Sequence, residues 1–358
     1  MMMIKLKFGS LARLVFAGAL LCILVAALAK SSVTRGSLRS GFVKPDPRAD
    51  FAIVVLPDTQ NYAQERPNAA CKEMWISQTE WIIRNREAHN IAYVAHLGDI
   101  VQNGDLLKNG APNLKEWQNA TNAMYRLEDP LRTLQRNGIP YGMAVGNHDQ
   151  EPSGTPGGTT RYFNEFFGVP HFSGRSYYGG HYGDNNDSHF DLFSASGLDF
   201  IVLYFEHQDF GPSILEWANA VLQTNQHRRV IAVAHYMGEA RTPSRHSHQG
   251  AAIYESLKRH TNFFLMLGGH KSGEGARQDT FEGRDVHTFI SDYQSRTNGG
   301  SGWMRLMYFS PTNNTVTIQT YSPWLNQYEV DEDSEMFFSY DMSPAHLARR
   351  TRTTSSKL

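Results

Sequence analysis

Cysteine is almost missing from this sequence: of 358 residues only Cys22 and Cys71 are cysteines. Cys22 lies inside an apolar run near the start, so Cys71 has no partner downstream. An internal disulfide and any CxxC metal motif are therefore excluded. Positive charge is scarce where a polyanion would need it. The chain as a whole has a formal net charge of -1, but residues 49–345 hold 22 Lys+Arg against 34 Asp+Glu, a difference of -12. A body of that sign does not steer nucleic acid toward itself, and it would have to handle phosphate through bound cations. Internal repeats are also lacking. The remaining composition, 41% hydrophobic and 19% charged with 30 Gly and 15 Pro, is that of an ordinary globular chain.

A long run free of charged and polar residues occurs in one place. Lys5, Lys7 and Arg13 precede an unbroken apolar stretch at 14–29 that ends Ala27-Leu28-Ala29. A basic head, an apolar middle and a small-x-small end predict residues 1–30 as a signal peptide or a signal anchor. The run is long for the first (about 7–15 residues) and short for the second (roughly 20), so both stay open. Residues 31–48, polar and basic with Pro45 and Pro47, predict a flexible linker. These features imply a secreted, periplasmic or membrane-anchored protein. The terminal Ser356-Lys357-Leu358 is a peroxisomal type of address and gives the alternative. The folded body is expected over 49–325, with 326–358 a partly disordered C-terminal extension.

From Phe51 onward, strand-like apolar runs alternate with helical patterns. "FAIVVL" precedes a helix with Trp75, Ile76, Thr79, Ile82 and Ile83 on one face, then "IAYVAHL". An interrupted helix near 116–136 leads to "IPYGMAV", and "HFDLF" and "DFIVLYF" follow. Helices near 212–226 and 250–259 flank "RVIAVAH" and precede "FFLMLGGH". Strands near 286–291, 303–309 and 315–320 close the pattern. The fold class expected is α/β, a single domain with sheets covered by helices.

What ends each run carries the chemistry. "FAIVVL" is followed after one proline by Asp58-Thr59-Gln60, and "IAYVAHL" by Gly98-Asp99. "YGMAV" ends on Gly146-Asn147-His148-Asp149, "VIAVA" on His235, and "FFLML" on Gly268-Gly269-His270. One strand-end Asp is usually a turn or cap residue, and one His after an apolar run is usually core. Five such runs deliver Asp, Asp, Asn, His and His to strand C-termini, where open α/β sheets place their ligands. That set points to a metal centre.

In order and spacing these segments resemble the calcineurin-like metallophosphoesterase superfamily over about residues 51–325, with "GNHD" downstream of "GD" the most specific part. "PDTQNY" together with "SDYQSRTNGGSGWMRL" resembles a bacterial-type branch in which Gln stands where other members have His. The resemblance implies a four-layer α/β/β/α sandwich. It also implies a hydrolase of phosphate mono- or diesters with two divalent metal ions (Mn, Fe, Mg or Zn) and an attacking hydroxide between them. Asp99 would bridge the ions; Asn147, His235 and His270 would join it on the second, and Asp58 and Gln60 on the first. The family's last ligand falls on Ser272, so both departures affect the first ion, which is expected to be harder and more weakly held. His148 takes the position of proton donor to the leaving oxygen, and Gln102 stands where many relatives have the Asp that orients it.

Softer candidates surround this set. Arg296 is either a phosphate clamp or a solvated loop charge. Tyr62, Tyr293 and Trp303 either wall the substrate cleft or belong to the core. His246 or His248 either fills the position left by Ser272 or sits in a solvated loop. The expected partner is a small-molecule phosphate ester, with no obligate protein partner and with membrane contact only through the N-terminal segment. Two rivals remain: a catalytically weak or silent relative that works as a metal-containing binding module, and a metal hydrolase acting on nucleotides or phospholipid headgroups.

Overall fold

The computed structural model describes residues 49–65, 70–105 and 114–343, with the backbone of a short ribbon at 107–108 and 111–112. The expected signal or anchor, the linker and the Ser-Lys-Leu ending lie outside the described residues. Among the described residues no helix is long and apolar enough to cross a membrane. The chain divides into residues 1–44 and 45–358, and the architecture below is that of the second unit.

β1 (Phe51–Leu56) leads into α1 (Gln60–Gln64) and α2 (Lys72–Asn85). β2 (Ile91–His96) is followed by the ribbon β3 (Leu107–Lys108) and β4 (Ala111–Pro112), then α3 (Leu114–Met124) and α4 (Pro130–Thr133). β5 (Tyr141–Met143), α5 (Arg161–Phe167) and α6 (Val169–Phe172) complete the first half. The second half opens with β6 (Tyr178–His181), β7 (His189–Ala195), β8 (Leu198–Phe205) and α7 (Pro212–Thr224). β9 (Arg229–Ala234), α8 (His248–Leu257) and β10 (Phe263–Gly268) follow. Six strands end it: β11 (Gly273–Phe281), β12 (Arg284–Asp292), β13 (Met304–Ser310), β14 (Thr315–Ser322), β15 (Gln327–Glu329) and β16 (Glu335–Ser339).

One sheet has the order β15-β14-β13-β1-β2-β5, with β16 also paired to β14; the other runs β11-β12-β10-β9-β8-β7-β6. β1, β2 and β5 are parallel, as are β8, β9, β10 and β12. Their C-terminal ends therefore gather on one edge of each sheet. Side-chain alternation builds the layers. Phe51, Ile53 and Val55 of β1 face the second sheet and pack with Phe200, Val202, Ile231 and Leu265. Ala52, Val54 and Leu56 face the other way, beneath Trp75 and Ile82 of α2 and Trp117 and Ala120 of α3. Across the molecule, Ile201, Leu203, Val230 and Ala232 lie under Ile214 and Leu222 of α7 and Ile253 of α8. Strands covered on both faces must be apolar at every position, which is why these runs are unbroken. The result is the expected α/β/β/α sandwich.

Paired strands continue beyond residue 325, where the C-terminal extension is expected to begin. β16 pairs with β14 from Thr315↔Ser339 to Gln319↔Glu335, and Phe338, Tyr340 and Met342 join the core between the sheets. The run 331–335, four acids in five residues, masks a short edge strand that no periodicity announces. β11 likewise has no counterpart in the apolar pattern. It sits at a sheet edge, where polar residues are expected.

Candidate metal centre

The ends of β1, β2, β5, β9 and β10 turn sharply to bring their side chains together. Asp58, Asp99 and His270 have φ of 33, 49 and 68°, left-handed values that cost non-glycine residues on the order of 1–3 kcal/mol. Glycine makes room for the carboxylates. A Cβ on Gly146 would lie 2.2 Å from Asp99 Oδ1, and one on Gly269 would lie 2.2 Å from Asp58 Oδ2.

Four donor atoms converge at one point. Asn147 Oδ1 is 2.9 Å from His270 Nδ1 and 3.2 Å from His235 Nε2. His235 Nε2 is 3.2 Å from His270 Nδ1 and 3.2 Å from Asp99 Oδ1. His235 Nδ1 donates to the Leu97 carbonyl at 2.9 Å, which fixes the tautomer and leaves the Nε2 lone pair facing the others. Metal–ligand bonds of about 2.0–2.2 Å place neighbouring ligands roughly 3 Å apart, so the spacing fits a coordination shell. A carboxylate, an amide oxygen and two imidazoles suit a divalent transition metal.

The neighbouring position is richer in oxygen. Asp58 (2% exposed) accepts the backbone N–H of His270 at 3.2 Å. Burial, then Asp292 and Asp99, push its carboxyl well above the usual carboxylate range. Asp99 behaves oppositely: burial opposes its ionisation, but His235 and His148 outweigh that and hold it well below the usual range. Gln60 is wholly buried; its Nε2 donates to Asp99 Oδ2 at 3.0 Å and to Gln294 Oε1, while its Oε1 has no partner. Ser272 Oγ donates to Asp292 Oδ2 at 3.1 Å. Buried carboxylates that raise one another's pKa, as Asp292 and Asp99 do for Asp58, call for a counter-charge of the kind a divalent cation supplies. The set of Asp99, Asn147, His235 and His270 therefore fits a divalent metal.

His148 donates its backbone N–H to Asp99 Oδ1 at 3.0 Å. Its ring Nδ1 lies 3.0 Å from the Gln102 carbonyl oxygen and 2.8 Å from the Gln102 amide nitrogen. Gln102 thus still orients the imidazole, and its main-chain carbonyl is the neutral acceptor there. The ring lines a cleft of about 610 Å³ together with Asn61, Gln102, Gln294, Arg296 and Asn298.

The softer candidates fare differently. Arg296 does line the cleft, but it is paired with Glu329 at 2.5 Å and lies 4.7 Å over the Tyr293 ring. Tyr62 is not on the cleft: it is 2% exposed in the core, its hydroxyl accepting the Gly302 N–H at 2.9 Å. One residue along α1 is a rotation of about 100°, so Asn61 reaches the cleft instead. Tyr293 is buried against Glu274, and Trp303 is half-buried with its carbonyl bonded to Gln78. His246 turns to Thr288 and Asp279 and His248 opens α8, whereas Ser272 bonds Asp292 and Ser295.

Three features escaped sequence reasoning. Asp149 accepts the N–H groups of Ile100, Val101 and Gly146, pinning the loop after β2 to the loop after β5. His207 and Tyr236 pack on His270 at centroid distances of 5.4 and 4.5 Å. Asp292 and Gln294 stand at the end of β12. Here a signal existed, since the strand expected near 286–291 is followed directly by Asp292.

Residues 51–272 match a family model described as calcineurin-like phosphoesterase. The uncharacterised protein YvnB of Bacillus subtilis (strain 168) is 33% identical over 317 residues, which is 84% of this chain and 22% of YvnB. The chain thus spans 22% of the length of this curated relative. Among solved structures, purple acid phosphatase PPD1 from yellow lupin seeds aligns with a TM-score of 0.54 at 13% identity, covering 84% of this chain and 55% of that one. A dimetal phosphatase from Danio rerio aligns with a TM-score of 0.45 at 13% identity, over 81% and 99% of the two chains. Identities this low speak to the fold alone.

Proposed function

The chain belongs to the calcineurin-like phosphoesterase family, and from that premise we propose that it is a metal-dependent phosphoric ester hydrolase acting on small phosphate mono- or diesters. The observation that carries this reading is the convergence of Asp99, Asn147, His235 and His270, with donor atoms 2.9–3.2 Å apart and the His235 tautomer fixed from behind.

Asp58, Gln60 and Asp99 would hold the first of two divalent ions, and Asp99, Asn147, His235 and His270 the second. Ions bound there would polarise a phosphate and lower the pKa of a coordinated water. Asp99 serves both positions, since Oδ1 meets the His235 side and Oδ2 meets Gln60. His148, on the cleft wall and oriented by Gln102, delivers a proton to the leaving oxygen. Among the described residues the cleft surface is dominated by amides, and its one Lys or Arg, Arg296, is already paired. Its contribution to phosphate binding is therefore that of a modest, shared charge.

The N-terminal pattern supports a further part of the proposal, that residues 1–30 export or anchor the body and 31–48 tether it; cell fractionation of the full chain tests this. The test of activity is reconstitution with Mn²⁺, Fe²⁺, Mg²⁺ or Zn²⁺ and assay on a panel of phosphomono- and phosphodiesters. Two ions per chain and turnover that disappears on chelation are expected. One inert ion with no turnover on any ester would favour the binding module.

A further inference from the structure

We propose that Asp292 and Gln294 complete the first metal site, supplying oxygen donors where Ser272 replaces the family's last histidine. The inference rests on the two-metal reading above and deepens it.

Three observations meet there. Asp292 is a wholly buried carboxylate whose partners are all neutral: the Ser272 hydroxyl at 3.1 Å, the Gln294 amide at 2.9 Å and the Gln294 N–H at 2.8 Å. The Ser272 contact places it against the position where the missing ligand would stand. Gln294 Oε1 contacts the Gln60 amide, which in turn contacts Asp99 Oδ2. Finally, the same Gln60 amide carries a wholly buried oxygen without a partner. If the amide turns over, Gln60 Oε1 faces Asp99 Oδ2 and Gln294 Oε1, and three oxygens converge on a point that only a cation can satisfy.

A purely structural role, Asp292 closing the turn after β12, accounts for one of its oxygens, the one that accepts the Gln294 N–H. The other, Oδ2, is held by the two side chains that flank the proposed site, the Ser272 hydroxyl and the Gln294 amide. With Asp58, Asp99, Asp292, Gln60 and Gln294, the site offers oxygen donors only and three carboxylates. That is the donor class of Mn²⁺, Mg²⁺ or Ca²⁺, while the second site, with two imidazoles, takes a softer ion. The first site thus prefers a harder ion than the second, while both accept Mn²⁺.

Metal-free protein titrated with Mn²⁺ alone, then challenged with increasing chelator, tests this. Wild type takes up two ions per chain. Gln294→Ala and Asp292→Asn release the first ion at roughly 10–100-fold lower chelator concentration and keep the second. Asp292→His moves first-site preference toward Zn²⁺, a change that a residue outside the coordination shell does not produce. Gln294 is only half-buried on the cleft wall, so Gln294→Ala decides the matter even if Asp292 variants misfold. Wild-type chelator resistance in Gln294→Ala and Asp292→Asn, alongside loss of one ion in Asp58→Asn, overturns this assignment and leaves the two-metal reading standing. A wild-type chain that takes up fewer than two ions overturns both.

Discussion

Asp99 concentrates more of the proposed chemistry than any other side chain, since its two oxygens face different donor sets. Asp99→Asn should remove most metal and nearly all activity together, as read by metal analysis and ester turnover on the same preparation. Retention of two ions and activity would sink the reading. In the proposed reaction His148 acts later, on the leaving group. His148→Ala should cost roughly 10²–10⁴-fold in turnover of an alkyl phosphate and clearly less on a nitrophenyl ester, whose leaving oxygen needs no proton. Equal losses on the two substrates would assign it to positioning. Gln60 is the residue whose identity the sequence leaves most open. As a ligand, Gln60→Ala should lower the chelator concentration that strips the first ion. As a mere turn residue it would cost about 1 kcal/mol and leave metal content unchanged.

At the scale of elements, the site depends on how closely two loops approach. The loop after β5 lies directly on Asp99, with no space for a Cβ at Gly146. Gly146→Ala should displace the Asp99 carboxylate and lower metal content while the circular dichroism of the sheets and helices is retained; unchanged metal stoichiometry would show that the loops can part without loss. Asp149 ties the same loops together through three backbone N–H groups. Asp149→Ala leaves these donors buried and unpaired, which should cost at least about 2 kcal/mol in denaturant unfolding of the metal-free protein.

For the whole molecule, buried imidazoles set a limit on acid stability. Burial lowers the His189 pKa to about 3, with the ring stacked on Tyr204 at 4.5 Å and Nδ1 donating to the Asn186 carbonyl. In the unfolded chain the group titrates near about 6.5. Below that pH the unfolded state takes up a proton that the native state refuses, so stability is lost as pH falls from about 6.5 toward 3. Between pH 6.5 and 4.5 this one residue should remove about 2–3 kcal/mol. Metal-free His189→Gln should lose that much less than wild type over the same interval in urea unfolding. Parallel pH profiles for the two proteins would count against it.

Residue order alone settles which strands are covered on both faces, because continuous apolar runs such as "FAIVVL" and "RVIAVA" have no polar side to present to water. It also determined which side chains stand at their C-terminal ends, since that is a matter of chain order: Asp58, Asp99, Asn147, His235 and His270 were all legible. Which neighbours those residues meet is set by the packing of distant segments. Tyr62 and Asn61 are adjacent in sequence, and the rotation of one short helix sends the first to the core and the second to the cleft. β16 is too short, and follows too closely on the acidic run 331–335, to announce a strand, yet its pairing with β14 draws Phe338 between the sheets. Asp292 lies 234 residues from Asp58 in the chain, and their mutual repulsion exists only because parallel strands from two packed sheets end at the same edge. Local patterning fixes the elements, while long-range packing alone sets the distances on which coordination and charge depend.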